Sequence, residues 1–304
     1  MNIARIPYYL RNPQKILFPL ALKHPKLFPD KQFLKIIYRQ LLGTELNLKH
    51  PRTFSEKLQW LKLYDRNPLY TQMVDKYEAK RYVANIIGDE YIIPTLAVYD
   101  STKEIDIDAL PDRFVLKCTH DSGSVAICKD KKTFKRDEAF AMLEKGLRKN
   151  FFWENREWPY KNVKPRIIAE AYLEDNATQE LRDYKFFCFG GEVKYCQVIS
   201  GRSTTMCIDF FDRDWNHQPF HEPHNYPFAE TEIEQPRQLE KMWSAATLLS
   251  KDKPFSRIDF YEVGDSVYFG EITFFPTSGF GGFAPEEWDL KFGQWLELPS
   301  KKRT

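Results

Sequence analysis

The sequence predicts an α+β fold, or a mixed α/β fold, organised in subdomains, and three observations support this prediction. Residues 30–88 carry amphipathic helical patterns. Later segments have the residue types and alternation of strands, and two pairs of them turn back at Gly190-Gly191 and Gly264-Asp265. No Pro- or Gly-rich linker divides the chain. Its 304 residues suffice for one large or two to three small subdomains with a sizeable core.

Sequence signals at the helix ends locate the helical elements. Thr53-Phe-Ser-Glu56 has the form of a capping box and opens a helix. A second helical pattern runs over residues 74–87, and Gly88 ends it. Two further helices are predicted over residues 133–150 and about 235–251.

Strands account for the remaining predicted elements. Short strands are expected to begin at Tyr91 and Phe114, and residues 166–173 have the pattern of a strand that leads into a loop. Residues 184–189 and 192–199 form a predicted hairpin.

The composition excludes some classes of function. The formal net charge of +2 and the absence of RNA-binding or helix-turn-helix signatures argue against a nucleic-acid partner. Residues 1–50 nevertheless hold nine Lys or Arg against two acids. A basic helical cap packed on the body is the favoured interpretation, and peripheral contact with an anionic membrane is the alternative. The apolar run 16–22 is too short to span a bilayer. We therefore expect a cytoplasmic protein, with the inner face of the membrane as the alternative location.

Cysteine and histidine spacing gives little support for a disulfide framework or a zinc site. The five cysteines lack C-x-x-C spacing, and most lie in strand-like runs, so we expect buried thiols in a reducing compartment. His217, His221 and His224 are close in sequence, but Pro219 and Pro223 break any helix that would align them. A loop that touches substrate or solvent is the favoured interpretation.

The most informative segment covers residues 256–273, which have the pattern of a β-hairpin. With a three-residue loop centred on Asp265, Asp259 lies opposite Glu271 on one face. Two carboxylates held about 5 Å apart repel each other, and a divalent cation relieves the repulsion. An ordinary exposed hairpin is an equal alternative, and a two-residue turn would put the acids on opposite faces. The same register adds a basic residue and a hydroxyl to that face, namely Arg257 and Thr273.

A second chemical signal follows the strand that begins at Phe114. Lys117 points away from the apolar face of this strand, and the polar loop Ser122-Gly123-Ser124 comes directly after it. Such a loop can turn N–H groups and hydroxyls toward an anion while the lysine supplies charge. A plain hairpin turn with a solvated lysine is the favoured alternative on this segment alone. The phosphate motifs G-x-x-x-x-G-K-[ST] and G-x-G-x-x-G are absent.

The order of these signals along the chain resembles the ATP-grasp superfamily, and most closely its TupA-like (teichuronopeptide-biosynthesis) branch of polysaccharide-cluster proteins. Residues 182–192 and 281–289 resemble that branch in particular, and the resemblance covers roughly residues 50–299. It implies an ATP-grasp fold, in which two α+β subdomains sandwich the nucleotide behind a mainly helical N-terminal region. The implied boundaries are 1–110 for the N-terminal region, 111–172 for the small subdomain and 173–304 for the large subdomain.

The resemblance implies roles for residues that bind ATP. Lys117 matches the lysine that contacts the α- and β-phosphates, and Lys76 matches the basic residue that assists it. Ser122-Gly123-Ser124 matches the loop that closes over the triphosphate. Either Glu174 or Asp175 would hold the ribose. The adenine hinge comprises Glu170, Ala171, Tyr172 and Leu173, with Glu170 near the exocyclic amine.

The resemblance also implies a Mg²⁺ site and catalytic residues. Asp259 and Glu271 match the paired magnesium ligands, and Thr273 stands where the family usually has asparagine, a stronger ligand. Arg257 matches the arginine that steadies the transferring phosphoryl group, and Lys185 lies where a basic side chain meets the nucleotide phosphates. The glycine-rich residues 277–283 are a candidate for gripping an acceptor carboxylate, with a plain flexible connection as an equal alternative.

The predicted function is an ATP-dependent ligase that joins a carboxylate to an amine in cell-surface polysaccharide assembly. Its substrates would be a sugar acid, free or in a glycan, and an amine or amino acid. A glycosyltransferase or other sugar-modifying enzyme is one alternative, for which the D-x-D triplets Asp106-Ile-Asp108 and Asp212-Arg-Asp214 are the relevant motifs. A degenerate ATP-binding scaffold is another, because Thr273 is a weak metal ligand.

Overall fold

We describe the protein from a computed structural model, which defines residues 14–175, 181–201, 205–222 and 226–300. Within these ranges the chain forms two antiparallel sheets with helices packed around them, which confirms the α+β prediction and the helical N-terminal region. None of the helices in these ranges is long and apolar enough to cross a bilayer.

Five helices precede the first strand of the described chain: α1 (Gln14–Lys23), α2 (Asp30–Leu42), α3 (Phe54–Tyr64), α4 (Leu69–Val74) and α5 (Glu78–Ile87). The predicted capping box of α3 is present, since Thr53 accepts a hydrogen bond from the Glu56 N–H and Glu56 accepts one from the Thr53 N–H. The single helix expected over residues 74–87 is wrong at its start. Asp75 ends α4 and accepts the N–H of Tyr77 at 2.9 Å, so the helical pattern resumes only with α5.

The small sheet has four strands: β1 (Thr95–Tyr99), β2 (Phe114–Cys118), β3 (Val125–Cys128) and β4 (Ile167–Ala171). Their order is β1-β4-β2-β3, and helix α6 (Arg136–Leu147) packs on β2 and β3. The strand expected at Tyr91 starts later, because Tyr91 belongs to a short 3-10 turn. Strand β1 precedes residue 110 but pairs with β4, so the small sheet draws on the chain before that boundary. The short helix α7 (Phe152–Asn155) lies between α6 and β4.

The large sheet has five strands: β5 (Asp183–Phe189), β6 (Glu192–Ser200), β7 (Cys207–Phe211), β8 (Phe255–Val263) and β9 (Ser266–Thr273). Their order is β7-β6-β5-β8-β9, with helix α8 (Leu239–Ser250) packed on β5, β6 and β8. The predicted hairpins β5–β6 and β8–β9 are both present. Helix α9 (Glu287–Trp295) closes the fold.

The N-terminal helices share one hydrophobic core with the large sheet. Helix α9 packs backbone to backbone against the start of α3, since a Cβ on Gly293 would lie 2.1 Å from the Arg52 carbonyl oxygen. Ser55 strengthens the contact by donating N–H and Oγ hydrogen bonds to Asp289 at 3.1 and 3.0 Å. Helix α3 is thereby held against the segment that follows β9, the strand that carries Glu271 and Thr273.

Candidate functional site

The hairpin β8–β9 brings the two predicted metal-binding carboxylates together. Asp259 pairs with Glu271, and Arg257 pairs with Thr273, as the sequence predicts. The connection itself differs from the prediction. Val263 pairs with Ser266, so the turn has two residues. A β-bulge between the pairs Asp259–Glu271 and Phe260–Phe269 shifts the register by one residue, which places Asp259 opposite Glu271.

The bulge at Gly270 explains how a two-residue turn keeps both acids on one face. In a regular strand, Phe269 would lie on the same side as Glu271. The extra residue in β9 lets Phe269, 5 % exposed, enter the core beside Phe260, while Glu271 stays with Asp259. A Cβ on Gly270 would lie 3.1 Å from the Asp259 carbonyl oxygen, a close approach that glycine accommodates without displacement.

An ion network connects these side chains. The Arg257 guanidinium donates to both oxygens of Asp259 at 2.8 and 2.7 Å and to Glu271 at 3.0 Å. Lys185, which pairs with Asp259 across β5 and β8, contacts the same Asp259 carboxylate and lies 3.5 Å from Asp183. The Asp259 side chain is 2 % exposed, so these cations supply the pairing that a buried carboxylate requires.

Glu271 is the acid that faces solvent. Its side chain is 43 % exposed. Burial opposes its ionisation, but Arg257, Lys185 and Lys76 outweigh burial and lower the pKa of Glu271 to about 2. Burial also disfavours the charged guanidinium of Arg257, yet Asp259 outweighs it and raises the pKa of Arg257 above its usual range. The carboxylate of Glu271 is therefore ionised at neutral pH.

The donor set at this site fits Mg²⁺. Asp259, Glu271 and the Thr273 hydroxyl offer only oxygen ligands, and the hydroxyl lies 3.2 Å from Glu271. Across the described ranges no group of three or more His, Cys, Asp or Glu side chains could hold a metal ion. Two carboxylates nevertheless suit magnesium, which usually takes one or two together with water and substrate phosphates.

The predicted phosphate lysine lies in the small sheet. Lys117 points away from the buried face of β2, as expected, and its ammonium lies 2.6 Å from Glu170. Lys80 on α5 contacts the other oxygen of the same carboxylate. Burial opposes the ionisation of Glu170, but the two lysines outweigh it and lower the pKa of Glu170. The Glu170 carboxylate is thus paired with two lysines, and its predicted place near the exocyclic amine of adenine stays a prediction.

Lys80 was not predicted as a site residue from the sequence, although its position four residues after Lys76 is a usable signal. Lys76 precedes the first turn of α5 and Lys80 lies within that turn, so both can extend toward the small sheet.

The loop between β2 and β3 is bound to Lys76. The Lys76 N–H donates to the Thr119 carbonyl oxygen at 3.0 Å, and its ammonium contacts the Asp121 carbonyl oxygen. Ser122 and Gly123 form the exposed tip, with Gly123 at φ 96°. Ser124 is 8 % exposed and donates to the Asp121 carboxylate. The exposed tip can therefore contact a ligand, whereas the Ser124 hydroxyl is already hydrogen-bonded to Asp121 within the loop.

The predicted hinge follows the same strand. Ala171 ends β4, and Tyr172, Leu173 and Glu174 come directly after it without regular secondary structure. Glu174 lies 2.6 Å from Arg113, whose guanidinium also covers the Tyr172 ring at 5.2 Å. The Glu174 carboxylate is thus already in an ion pair.

The two halves of the site face each other. Helix α4, which ends just before Lys76, packs on β9, and Lys76 contributes to the lowered pKa of Glu271. The phenol of Tyr160 lies within electrostatic range of Glu271, Arg257 and Asp121, which together represent both halves. The phosphate-loop side and the carboxylate side therefore lie within electrostatic range of each other.

Comparison with known families assigns the chain to one of them. Residues 56–297 match the model of the TupA-like ATPgrasp family. The chain belongs to this family. The match covers most of the chain and includes every residue that the sequence assigned to the ATP-grasp site. No curated protein matches the chain significantly.

Several solved structures resemble the chain at low identity. The D-alanine–D-alanine ligase of Bacillus anthracis shares 17 % identity, with a TM-score of 0.38, over 66 % of this chain and 56 % of that one. The Helicobacter pylori enzyme of the same name shares 15 %, with a TM-score of 0.42, over 80 % and 69 %. The L-amino acid ligase of Bacillus licheniformis shares 11 %, with a TM-score of 0.43, over 90 % and 60 %. The chain thus spans little more than half the length of the first of these.

The D-x-D triplets and the histidines of the zinc alternative contain side chains that form hydrogen bonds with nearby residues of the chain. Asp106 accepts the N–H of Asp108 at 3.0 Å. The Asp212 carboxylate accepts hydrogen bonds from Asn216 and Gln218, so it stabilises the turn after β7. His217 lies 2.9 Å from the buried Asp209; His224, the third histidine of the zinc alternative, lies outside the described residues.

Proposed function

We propose that the protein is an ATP-dependent carboxylate–amine ligase that releases ADP and phosphate. The observation that carries the proposal is the pairing of Asp259 with Glu271 in one network with Arg257 and Lys185, within electrostatic range of Lys76. Oxygen ligands and cations at close range are what a magnesium–triphosphate group requires.

ATP would lie between the two sheets. Lys117 and Lys76 would bind its phosphates, with the exposed tip Ser122-Gly123 above them. Backbone groups of residues 170–173 would pair with adenine, and Glu174 or Asp175 would bind the ribose. Lys80 and Lys117 hold Glu170 in place, so the phosphate lysine is oriented before nucleotide arrives.

Asp259, Glu271 and Thr273 would hold Mg²⁺. The ion, when bound, offsets phosphate charge and polarises the phosphoryl group that is transferred. The Asp259 carboxylate is already paired with Arg257 and Lys185, so these cations would shift from the acid toward phosphate oxygens as the nucleotide binds.

The chemistry would proceed in two steps. In the first, a substrate carboxylate oxygen attacks the γ-phosphorus, an O–P bond forms, and the bond to the β-phosphate oxygen breaks to release ADP. Arg257 and Lys185 would neutralise the charge of the transferring group. In the second, an amine attacks the acyl carbon, loses a proton, and phosphate leaves. Exclusion of water from the site would protect the acyl phosphate from hydrolysis.

The proposed substrates are a sugar acid and an amine or amino acid in cell-surface polysaccharide assembly. Membership of the TupA-like family supports this pathway. Peripheral membrane contact is part of the proposal. Helix α1 exposes Leu20 and Leu22, which are 39 % and 52 % exposed, next to Lys23, an arrangement suited to an anionic surface.

The test offers the protein ATP, Mg²⁺ and a panel of uronic-acid nucleotides with amino acids, and detects amides by mass. We expect ADP and an amide to form together, and Glu271→Gln to abolish both. Glu240→Gln, which changes an exposed acid paired with Arg213, is the matched control and should leave turnover unchanged. ADP release that persists in Glu271→Gln, or release of UDP in place of ADP, would refute the proposal. Nucleotide binding without turnover across the panel would favour the scaffold alternative.

A further inference from the structure

The loop Pro276–Gly279, directly after β9, contains an unusual backbone conformation. Thr277 lies at φ 47°, ψ 30°, and Ser278 lies at φ 53°, ψ 25°. Two consecutive residues with side chains in the left-handed region are unfavourable, so surrounding contacts must maintain them. The loop begins three residues after Thr273, at the edge of the carboxylate site.

Buried polar side chains hold this loop from both sides. The Lys62 ammonium donates to the Ser278 carbonyl oxygen at 2.6 Å and to the Asn155 carbonyl oxygen at 2.8 Å. Glu157 accepts a hydrogen bond from the Ser278 hydroxyl at 2.6 Å. Gln59 donates to the Gly279 carbonyl oxygen at 2.7 Å. The main-chain and side-chain oxygens of Ser278 are therefore both bound by buried groups.

Keeping Lys62 and Glu157 in this position is energetically unfavourable. Lys62 is 1 % exposed and Glu157 is 4 % exposed. Burial lowers the pKa of Lys62 to about 7, with Glu157 partly offsetting the effect, and burial raises the pKa of Glu157. An apolar side chain of similar volume would avoid this desolvation. The hydrogen bonds that these two residues make with Ser278 partly offset this cost.

The loop lies next to the proposed reaction centre. With Phe54, Ser55 and Glu222 it lines a small, partly open cavity of about 10 Å³, which is room for one water molecule. Glu222 also contributes to the raised pKa of Arg257, so this wall is close to the ion network.

We propose that Lys62 and Glu157 are positioning residues, which hold Thr277 and Ser278 in the left-handed conformation so that the loop presents a preformed surface to the carboxylate substrate. This inference rests on the proposed ligase function. Neither residue donates or accepts a hydrogen bond with the nucleotide-site residues named above, although Glu157 interacts electrostatically with Glu271. We therefore expect their main effect on substrate binding.

Lys57 provides a matched control on the same helix. Its ammonium also donates to two carbonyl oxygens, those of Gly293 and Leu296, each at 2.7 Å, but these belong to the C-terminal segment. Lys62→Met and Lys57→Met therefore each remove two hydrogen bonds to backbone oxygens. Only Lys62→Met removes a hydrogen bond to the loop Pro276–Gly279.

The experiment combines hydrogen exchange with steady-state kinetics. We expect Lys62→Met to exchange the amides of residues 276–282 at least tenfold faster. With the uronic-acid nucleotide of the panel that wild type converts, KM should rise about tenfold, with a smaller change in kcat. Affinity for Mg–AMP-PNP should stay within twofold of wild type. Lys57→Met should leave both the loop exchange and KM unchanged.

A second pair of variants keeps the inference falsifiable if Lys62→Met fails to fold. Glu157→Gln retains an oxygen that accepts from Ser278 and should keep KM near wild type, whereas Glu157→Leu should raise it. Unchanged loop exchange in Lys62→Met, equal effects of Gln and Leu at 157, or faster exchange without a KM change would each overturn the inference. Failure of the wild-type protein to bind Mg–AMP-PNP would instead refute the proposed function, and the exchange data would still report on the loop.

Discussion

Glu271→Gln tests the electrostatics of the carboxylate site without any substrate. Glutamine has nearly the same shape and can still accept a hydrogen bond from Arg257, so the substitution removes charge and little else. Ionised Glu271 interacts with Arg257, Lys185 and Lys76, which lower its pKa from 4.5 to about 2. We expect the loss of this charge to destabilise the folded protein at neutral pH.

The magnitude follows from the pKa difference and the exposure of the side chain. The difference between 4.5 and 2 corresponds to about 3.4 kcal/mol of folding free energy as an upper bound. Because the Glu271 side chain is 43 % exposed, solvent screening reduces this to about 1 kcal/mol. A carboxyl group with a lower pKa in the folded state stabilises that state above its unfolded pKa. Its contribution is lost as the pH falls from about 4.5 toward 2.

Urea denaturation of wild type and Glu271→Gln at pH 7 and pH 4 measures this effect. At pH 7 the wild type should be more stable by about 1 kcal/mol, and the difference should shrink at pH 4. Glu240→Gln, which alters an exposed ion pair, should match wild type at both pH values. A difference that is absent at pH 7, or that grows as the pH falls, would refute the electrostatic account of this site.

Three further predictions concern individual positions. Gly270→Ala should lower the free energy of unfolding by about 1–3 kcal/mol in urea, because the new Cβ meets the Asp259 carbonyl oxygen at 3.1 Å, and wild-type stability would contradict this packing. Lys117→Met should weaken Mg–AMP-PNP binding about 10- to 100-fold by calorimetry, since hydrogen bonds to charged groups contribute about 1.5–3 kcal/mol, and unchanged affinity would remove Lys117 from the phosphate site. Thr273→Val should raise the Mg²⁺ concentration needed for half-maximal nucleotide binding about tenfold, and an unchanged requirement would show that the hydroxyl is not a ligand.

The carboxylate hairpin shows how much of the site could be predicted from the sequence. Local patterns predicted which residues share a face, but they did not predict the turn length or the bulge. Alternation along two strands predicted that Asp259 and Glu271 share a face, and they do. The predicted three-residue loop was wrong, because a two-residue turn and the Gly270 bulge together produce the same register. The position of a bulge depends on which side chains pack into the core, here Phe269. The residues of the turn do not specify this packing.

Partners that are distant in sequence could not be predicted in the same way. The contact of Lys117 with Glu170 joins residues 53 positions apart, and that of Lys62 with Ser278 joins residues 216 positions apart. Lys62 lies within an amphipathic helix, where a lysine is usually exposed. Its burial depends on the packing of α3 against the segment after β9.

By itself, the sequence determined the α+β class, the capping box of α3, the two hairpins of the large sheet and the set of acids and bases, because these follow from patterns within a few residues. Only the tertiary structure decided that Lys80 shares Glu170 with Lys117, that the phosphate loop faces the carboxylate hairpin, and that Lys62 and Glu157 hold a strained loop. Those contacts arise where separate elements pack, and the desolvation that gives the charges their strength exists only after packing has excluded water.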